Sequence, residues 1–371
     1  MQSLDNNTQA LLALVRAGLW EKDVRLLPHQ DIEWQEVYQL ASEQSVLGLV
    51  LAGLEHSDVK PPKELLLQWI GEAQQIEQRN KAMNGFIADL IDRLRKEDVY
   101  CLLVKGQGVA QCYEKPLWRA CGDVDLLLSE GNYAIAKDIL IPFSSSVEAE
   151  SIKAKHIGMT IKSWVVELHG TLRSCCLKKM DRVIDDVQKD VFYGGNVRSW
   201  RNGQTQVFLP SFNNDVFFVF THIIKHFFRE GVGLRQVCDW CRLLFTCRET
   251  LDLELLERRL SKAGVMTEWK AFAAFAVNYL GMSVDAMPLY SSEKKWLRKA
   301  EKINAYIMSV GNFGHNRENI YKNSNYFNRK AKAFGRRIGD ATNHLFIFPI
   351  DSIKVFFRTL YYGLISFVKG I

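Results

Sequence analysis

The amino-acid sequence predicts an α+β fold, with a small mixed sheet between an N-terminal and a C-terminal helical region. Three observations lead to this prediction. Apolar residues recur at helical spacing through the N-terminal part of the chain, short runs of strand-forming residues follow from Val99, and helical spacing returns from Asn213 onward. The predicted regions are residues 1–97, 98–210 and 211–371.

The N-terminal region is predicted to contain three helices. The first carries an apolar stripe that includes Leu11 and Leu19, and Asp31 is a candidate cap for a second helix that contains Trp34. A Pro-Pro pair at residues 61–62 is then predicted to break the helical structure. A long third helix follows, and its apolar stripe consists of Met83, Phe86, Ile87, Leu90, Ile91 and Leu94.

The central region alternates strand patterns with short helices. A short helix is predicted near residues 107–114 and another over 132–140, and Asn202-Gly203 favours the tight turn of a hairpin. The predicted strands cover residues 99–104, 123–128, 158–161 and 164–168, the last two being joined near Lys162-Ser163. From Asn213 the chain is predicted to be helical again.

Composition and charge narrow the class of protein. A hydrophobic fraction of 47% with only 24 Gly and 8 Pro excludes a disordered or collagen-like chain. The net charge of +6 is too small to indicate a nucleic-acid-binding protein by itself. Between residues 293 and 337, however, twelve Lys and Arg stand against three Glu, with aromatic residues among them. This basic stretch could bind RNA, another polyanion or an anionic membrane, or form a solvated surface.

The ends of the chain and the cysteines bear on its location. The first residues have neither a basic nor an apolar signal region, and the best apolar run, residues 359–368, is shorter than the about 20 residues of a membrane-spanning helix. We therefore expect a cytoplasmic protein with no transmembrane segment and with reduced thiols. Cys238 and Cys241 form a C-x-x-C pattern and are predicted to be buried thiols. The apolar segment 346–368 is expected to pack as a terminal helix or to lie on a membrane.

Two aspartates at the start of an apolar strand are the sharpest local signal. Asp123 and Asp125 are separated by one residue, so they project from the same face of the strand. Neighbouring carboxylates repel one another unless a cation lies between them, and oxygen ligands favour Mg²⁺ or Mn²⁺ over Zn²⁺. Glu167 lies in another predicted strand, and if the two strands are neighbours, three carboxylates converge. Such a group suits phosphoryl or nucleotidyl transfer.

The sequence resembles a family at this point. Lys105 and Gly106 end one strand, Arg119 precedes the Asp pair, and Glu167-Leu168-His169 forms an acidic-Leu-His strand. This arrangement is similar to that of the uncharacterised nucleotidyltransferase family of bacteria, part of the DNA polymerase β-like nucleotidyltransferase superfamily. The resemblance covers roughly residues 80–245 and extends into helical segments that contain His222, His226, Leu234, Arg235 and Asp239.

The resemblance implies roles for individual residues. Asp123 and Asp125 match the metal-binding aspartates, and Glu167 matches the third acidic position, as a further ligand and the base for the acceptor hydroxyl. Lys105, Gly106 and Gln107 match the segment that approaches the triphosphate. In the wider superfamily a Gly-Ser pair precedes the Asp pair by about ten residues, whereas here Gln107 replaces the serine and the spacer is longer.

Other polar residues have weaker signals. Arg119 is a candidate for contact with a phosphate or a site carboxylate, or a surface residue. His222 and His226 share a helix face and, with His169, could form a zinc site, but a place in the core or behind the metal ligands, facing the carboxylate site, is favoured. Arg235 and Asp239 are expected to form a helix ion pair.

These observations predict a Mg²⁺-dependent nucleotidyltransferase that moves a nucleoside monophosphate from a nucleoside triphosphate to an unidentified acceptor hydroxyl and releases pyrophosphate. Two alternatives belong to other classes of protein. One is a catalytically silent nucleotide-binding protein, and the other is a nucleic-acid-binding or anionic-surface-binding protein that uses the basic stretch.

Overall fold

The computed structural model describes residues 5–26, 31–152, 154–312 and 342–369. The chain has the α+β fold that the sequence predicts, with a mixed sheet between helical regions. The N-terminal helices are α1 (Asn6–Trp20), α2 (Trp34–Glu43), α3 (Leu47–Glu55) and α4 (Lys63–Arg95).

The mixed sheet has five strands: β1 (Cys101–Val104), β2 (Asp123–Leu128), β3 (Ser144–Val147), β4 (His156–Ile161) and β5 (Trp164–His169). Their spatial order is β1-β2-β5-β4-β3. Only the β2–β5 pair is parallel, and the other three pairs are antiparallel. Helix α5 (Gly106–Ala110) follows β1, and helix α6 (Glu130–Leu140) follows β2.

A helix and a separate hairpin follow the sheet. Helix α7 covers Lys178–Tyr193, and strands β6 (Val197–Asn202) and β7 (Thr205–Pro210) form the hairpin. Gly203 lies in its turn with a φ of +61°, a conformation that glycine adopts without a steric cost. The Asn-Gly prediction of this hairpin is therefore confirmed.

The C-terminal helices are α8 (Phe212–Arg229), α9 (Leu234–Cys247), α10 (Leu253–Ala263), α11 (Met266–Leu280), α12 (Lys294–Val310) and α13 (Pro349–Lys369). In the described part of the chain, no helix has both the length and the apolar character that crossing a bilayer requires. Cys238 and Cys241 are buried, free thiols, as predicted. The C-terminal part of the basic stretch, including Arg336 and Arg337, lies outside the described residues.

Two hydrophobic cores hold the elements together. The sheet core packs α4 and α6 against one face of the sheet, and its residues include Met83, Leu103, Leu126, Ala136 and Val166. The helical core joins N-terminal and C-terminal helices with residues from the other face, and its residues include Leu11, Val50, Leu127, Phe220 and Phe272. Helices α1 and α3 cross so closely that a Cβ added at Gly18 would lie 2.1 Å from the Leu49 carbonyl oxygen.

The second helix begins later than the sequence predicts. Asp31 has a φ of +66°, so its backbone is not in the extended conformation that an N-cap residue needs. Helix α2 instead starts at Trp34 after Glu33, whose side chain makes no capping hydrogen bond. Asp31 is therefore not the cap, and that prediction is wrong.

Candidate active site

Strand pairing brings the three acidic side chains together. Asp125 on β2 lies beside Glu167 on β5 in the parallel register, and Asp123 stands two positions earlier on the same face of β2. One carboxylate oxygen from each of Asp123, Asp125 and Glu167 lies within 4.8 Å of the others. The convergence expected from the sequence is thus present, and it depends on the parallel pairing of β2 with β5.

Three basic side chains contact these carboxylates. Lys105 Nζ donates a hydrogen bond of 2.8 Å to Asp125 Oδ1, and His169 Nε2 lies 2.8 Å from the same oxygen. His156 Nε2 lies 3.1 Å from Glu167 Oε2. The carboxylate cluster therefore carries three negative charges against one permanent positive charge and two imidazoles.

The electrostatic balance differs among the three carboxylates. The charge of Asp125, aided by burial, raises the pKa of Asp123. Burial opposes ionisation of Asp125, but the Lys105 ammonium and the hydrogen bond with His169 lower its pKa. Burial also opposes ionisation of Glu167, yet hydrogen bonds with His156 and His169 hold its pKa well below the ordinary range. Asp123 is therefore the carboxylate whose charge is least compensated, and a cation bound there would relieve the repulsion.

The carboxylates lie in the wall of a large cavity. It has a volume of about 810 Å³, and helices α8 and α9 form the wall that faces the sheet. His222, Lys225 and Arg235 line this facing wall. Burial and the nearby Lys105 charge hold the pKa of His222 well below its ordinary value, so it lines the cavity as a neutral imidazole. The volume suits a substrate the size of a nucleotide.

Comparison with known proteins gives a family. The model of the uncharacterised nucleotidyltransferases matches residues 30–281, more than half of the chain. The chain belongs to this family. The match confirms the resemblance inferred from residues 80–245 and extends it to most of the N-terminal helices and to helix α11. Neither a curated protein nor a solved structure matches the chain.

Lys105 and Gly106, which the family resemblance assigns to the triphosphate, stand at the turn from β1 into α5. Lys105 has φ +59° and ψ −147°, and Gly106 has φ +44°. A Cβ added at Gly106 would lie 3.3 Å from Cys121 Sγ, so the left-handed turn favours glycine there for its backbone and for the space it leaves. Both residues line the cavity next to the carboxylates.

Gln107 and Arg119 are placed differently from each other. The Gln107 side chain is buried away from the cavity, and its Nε2 donates a hydrogen bond of 2.8 Å to Asn80 Oδ1. Arg119 lines the cavity and donates two hydrogen bonds to the Asp239 carboxylate, from Nε at 3.0 Å and from Nη2 at 2.6 Å. Its Nη1 is buried with no hydrogen-bond partner among the described residues. The guanidinium of Arg119 is thus fixed by Asp239 in the cavity wall.

The two α8 histidines line the cavity without joining the ligand groups. The ring centroids of His222 and His226 are 4.2 Å apart, and His226 Nδ1 lies 2.5 Å from Glu230 Oε2. Of the described residues, those that place three His, Cys or carboxylate ligand atoms within 4.8 Å of one another are Asp123, Asp125, Glu167, His156 and His169. His222 and His226 therefore lie outside both groups that could hold a metal.

The sequence did not single out two residues that shape the site, and it did not reveal the partner of a third. His156 faces His169 across the β4–β5 hairpin, and counting back from the turn at Lys162-Ser163 predicts that register. Asn80 Nδ2 donates hydrogen bonds of 2.8 Å to the Leu117 and Arg119 carbonyl oxygens, which fixes the loop before β2. Asp239, expected to pair with Arg235 on its own helix, accepts hydrogen bonds from Tyr113 and from Arg119, 120 positions away, and only the tertiary structure reveals these two donors.

Proposed function

We propose that the protein catalyses Mg²⁺-dependent transfer of a nucleoside monophosphate from a nucleoside triphosphate to an acceptor hydroxyl, with release of pyrophosphate. The observation that carries this proposal is the convergence of Asp123, Asp125 and Glu167 within 4.8 Å in the wall of an 810 Å³ cavity. Membership of the nucleotidyltransferase family supports it.

The carboxylate cluster fits a hard divalent cation. Its ligands are all oxygen atoms, which suits Mg²⁺ or Mn²⁺, and the raised pKa of Asp123 reflects negative charge that the protein leaves uncompensated. Asp123, Asp125 and Glu167 would hold the ion. When bound, the ion would polarise the α-phosphate and favour ionisation of the acceptor hydroxyl.

Glu167 has two proposed roles, as ligand and as proton acceptor. Its two imidazole contacts hold its pKa well below the ordinary range, which keeps the carboxylate ionised at neutral pH. A metal ligand must be ionised, whereas a base with a strongly lowered pKa takes a proton poorly. The electrostatics of Glu167 therefore support the role of ligand more strongly than that of base.

The triphosphate would lie against the cationic side of the cavity. Lys105 brings its ammonium group to the carboxylates, and Gly106 allows the backbone to approach an anion closely. Arg119 lines the same cavity, with its guanidinium held by Asp239. The Gln107 side chain is committed to Asn80, so we assign Gln107 to the triphosphate segment through its backbone alone.

The test is transfer of label from nucleoside triphosphates to metabolite, RNA and protein pools. With Mg²⁺ present, we expect label from the α-phosphate to enter one pool and label from the γ-phosphate to enter none, because pyrophosphate leaves. Asp123→Asn should lower the rate at least about 100-fold, since it removes a charge that holds the ion at the reacting phosphate.

Asp138→Asn is the matched control, because this carboxylate is exposed on α6 and does not line the cavity. It should leave the transfer rate unchanged. Full transfer by Asp123→Asn with every competent substrate would contradict the mechanism. Thermal stabilisation by Mg²⁺ and a triphosphate, without release of pyrophosphate in any pool, would instead favour the silent nucleotide-binding protein.

A further inference from the structure

A second group of ligand atoms lies beside the three carboxylates. It consists of His156, Glu167 and His169, whose ligand atoms lie within 4.8 Å of one another. Two of its members are histidines on adjacent antiparallel strands, and the third is the carboxylate at the edge of the carboxylate cluster. The group lies within one β-hairpin, and all three side chains line the cavity.

The distances in this group match those between ligands of one metal ion. His156 Nε2 lies 3.1 Å from Glu167 Oε2, and His169 Nε2 lies 3.4 Å from the same oxygen. Zinc–nitrogen and zinc–oxygen bonds of about 2.0–2.2 Å on a tetrahedron separate neighbouring ligand atoms by roughly 3.3 Å. Each imidazole nitrogen therefore lies about as far from the carboxylate oxygen as two ligands of such a tetrahedron lie from each other.

The His169 ring also contacts the carboxylate cluster, because its Nε2 lies 2.8 Å from Asp125 Oδ1, a hydrogen bond that a bound transition metal would replace. The 3.4 Å contact between His169 Nε2 and Glu167 Oε2 is longer than a good N–H···O hydrogen bond, for which about 2.9–3.0 Å is typical. The two rings also lie close together, with centroids 4.8 Å apart. Both imidazole rings therefore lie beside the same Glu167 carboxylate, where they could share a cation with it.

The donor set indicates the kind of ion. Two imidazole nitrogens and one carboxylate oxygen form a set that holds Zn²⁺ in enzymes, with water or substrate in the fourth position. Nitrogen ligands favour borderline transition metals, whereas Mg²⁺ prefers oxygen. Because these residues line the cavity, the fourth position would face it.

We propose that His156, Glu167 and His169 form a second metal site, for a divalent transition metal such as Zn²⁺, which shares Glu167 with the carboxylate cluster. The site differs from the Mg²⁺ site in its donor atoms and in excluding Asp123. The proposal does not depend on nucleotidyl transfer, because binding of the ion is measured without nucleotide or acceptor.

The experiment is titration of the metal-free full-length chain with Zn²⁺ alone, followed by calorimetry and equilibrium dialysis. We expect one equivalent of Zn²⁺ to bind. His156→Ala and His169→Ala should each weaken binding by more than about 100-fold, the upper limit of the cost of losing a residue that only supports a ligand. His156→Cys should restore tight binding, because a thiolate is also a zinc ligand.

Two controls separate ligation from general effects on the cavity. His222→Ala removes an imidazole that lines the same cavity but belongs to neither ligand group, and it should leave Zn²⁺ affinity unchanged. Asp123→Asn should weaken binding of Mn²⁺ and leave binding of Zn²⁺ intact. The thermal unfolding transition of each variant checks that it is folded.

X-ray absorption of the Zn²⁺-loaded chain provides a test that needs no variant. Scattering from two imidazole rings is the expected result. The proposal is overturned if the full-length chain binds no Zn²⁺, if both alanine variants bind it with unchanged affinity, if His222→Ala weakens it equally, or if the spectrum lacks imidazole scattering.

Discussion

Lys105 combines a charge and an unusual backbone conformation at the candidate active site. Its φ of +59° and ψ of −147° lie in a region that side chains other than glycine rarely adopt. The conformation directs the ammonium group to Asp125, at 2.8 Å. Lysine occupies a position whose backbone conformation suits glycine. We infer that the positive charge at this point is needed for function although the conformation is strained.

Two substitutions separate the charge of Lys105 from its strain. Lys105→Ala and Lys105→Gly both remove the ion pair, but only glycine relieves the strain, which costs about 1–3 kcal/mol. Glycine also gives the unfolded chain more conformational entropy, which lowers the free energy of unfolding by about 0.4–1 kcal/mol. We therefore expect Lys105→Gly to be about 1 kcal/mol more stable than Lys105→Ala in urea unfolding. Equal stability of the two variants would contradict the inference that the Lys105 backbone is strained.

Individual site residues differed in how well the sequence predicted them. The Asp123–Asp125 spacing on a strand is a local signal, and Glu167 stands out as a charge in an apolar run, so both were predicted. Asn80 is a buried polar residue on the apolar stripe of α4. Nothing in the sequence indicates which groups it hydrogen-bonds. The hydrogen bonds that Asn80 donates to the loop before β2 arise only when the tertiary structure forms.

At the scale of elements, helices α11 and α13 meet at a buried carboxyl group. Glu268 on α11 is fully buried, and its oxygens accept no hydrogen bond from the part of the chain that the structure describes. Burial, and then the nearby Asp351 of α13, raise its pKa well above the ordinary 4.5. Glu268 is therefore protonated in the folded state at pH values where the unfolded chain ionises it.

This carboxyl group makes stability depend on pH. As the pH rises above 4.5, the unfolded state loses a proton that the folded state keeps, so the free energy of unfolding falls. Glu268→Gln should remove this fall and raise the free energy of unfolding at neutral pH by about 1 kcal/mol or more. Urea unfolding of both proteins at about pH 5 and about pH 8 measures the difference. An equal fall in the free energy of unfolding of both proteins would show that other groups cause the pH dependence.

Some elements could be predicted from the sequence and others could not. Helix α4 has a clear helical period of apolar residues, strands β2 and β5 are short apolar runs, and the Asn-Gly pair marks the β6–β7 turn. Helix α3 is almost entirely apolar, so the spacing of its apolar residues does not distinguish a helix from a strand. Strand β3 consists of Ser144–Val147 at the edge of the sheet, and its mostly exposed, serine-rich sequence lacks a strand pattern.

At the scale of the whole molecule, the two helical regions share one core. Trp20 Nε1 at the end of α1 donates a hydrogen bond of 2.6 Å to the Leu280 carbonyl oxygen at the end of α11. Gln44 Nε2 donates one of 3.0 Å to the carbonyl oxygen of Ile307 on α12. The N-terminal helices therefore pack on the C-terminal ones, and both cover the same face of the sheet.

This packing predicts how fragments behave. A fragment of residues 98–210 lacks the part of α4 that fills the sheet core and the helices that cover the opposite face. We expect it to show no cooperative unfolding transition, whereas the full chain unfolds with one. Circular dichroism during urea titration measures both. A cooperative transition of the fragment would show that the three predicted regions include an autonomous central domain.

The chain order of the strands also sets an order of events during folding. His156 and Glu167 are 11 positions apart and are joined by a hairpin, so they meet through local contacts. Asp125 and His169 are 44 positions apart, and their strands pair in parallel only after a longer loop closes. The nitrogen-bearing ligand group is therefore complete as soon as one hairpin forms. The all-oxygen group also requires β2 to dock, so we expect it to be completed after the nitrogen-bearing group as the chain folds.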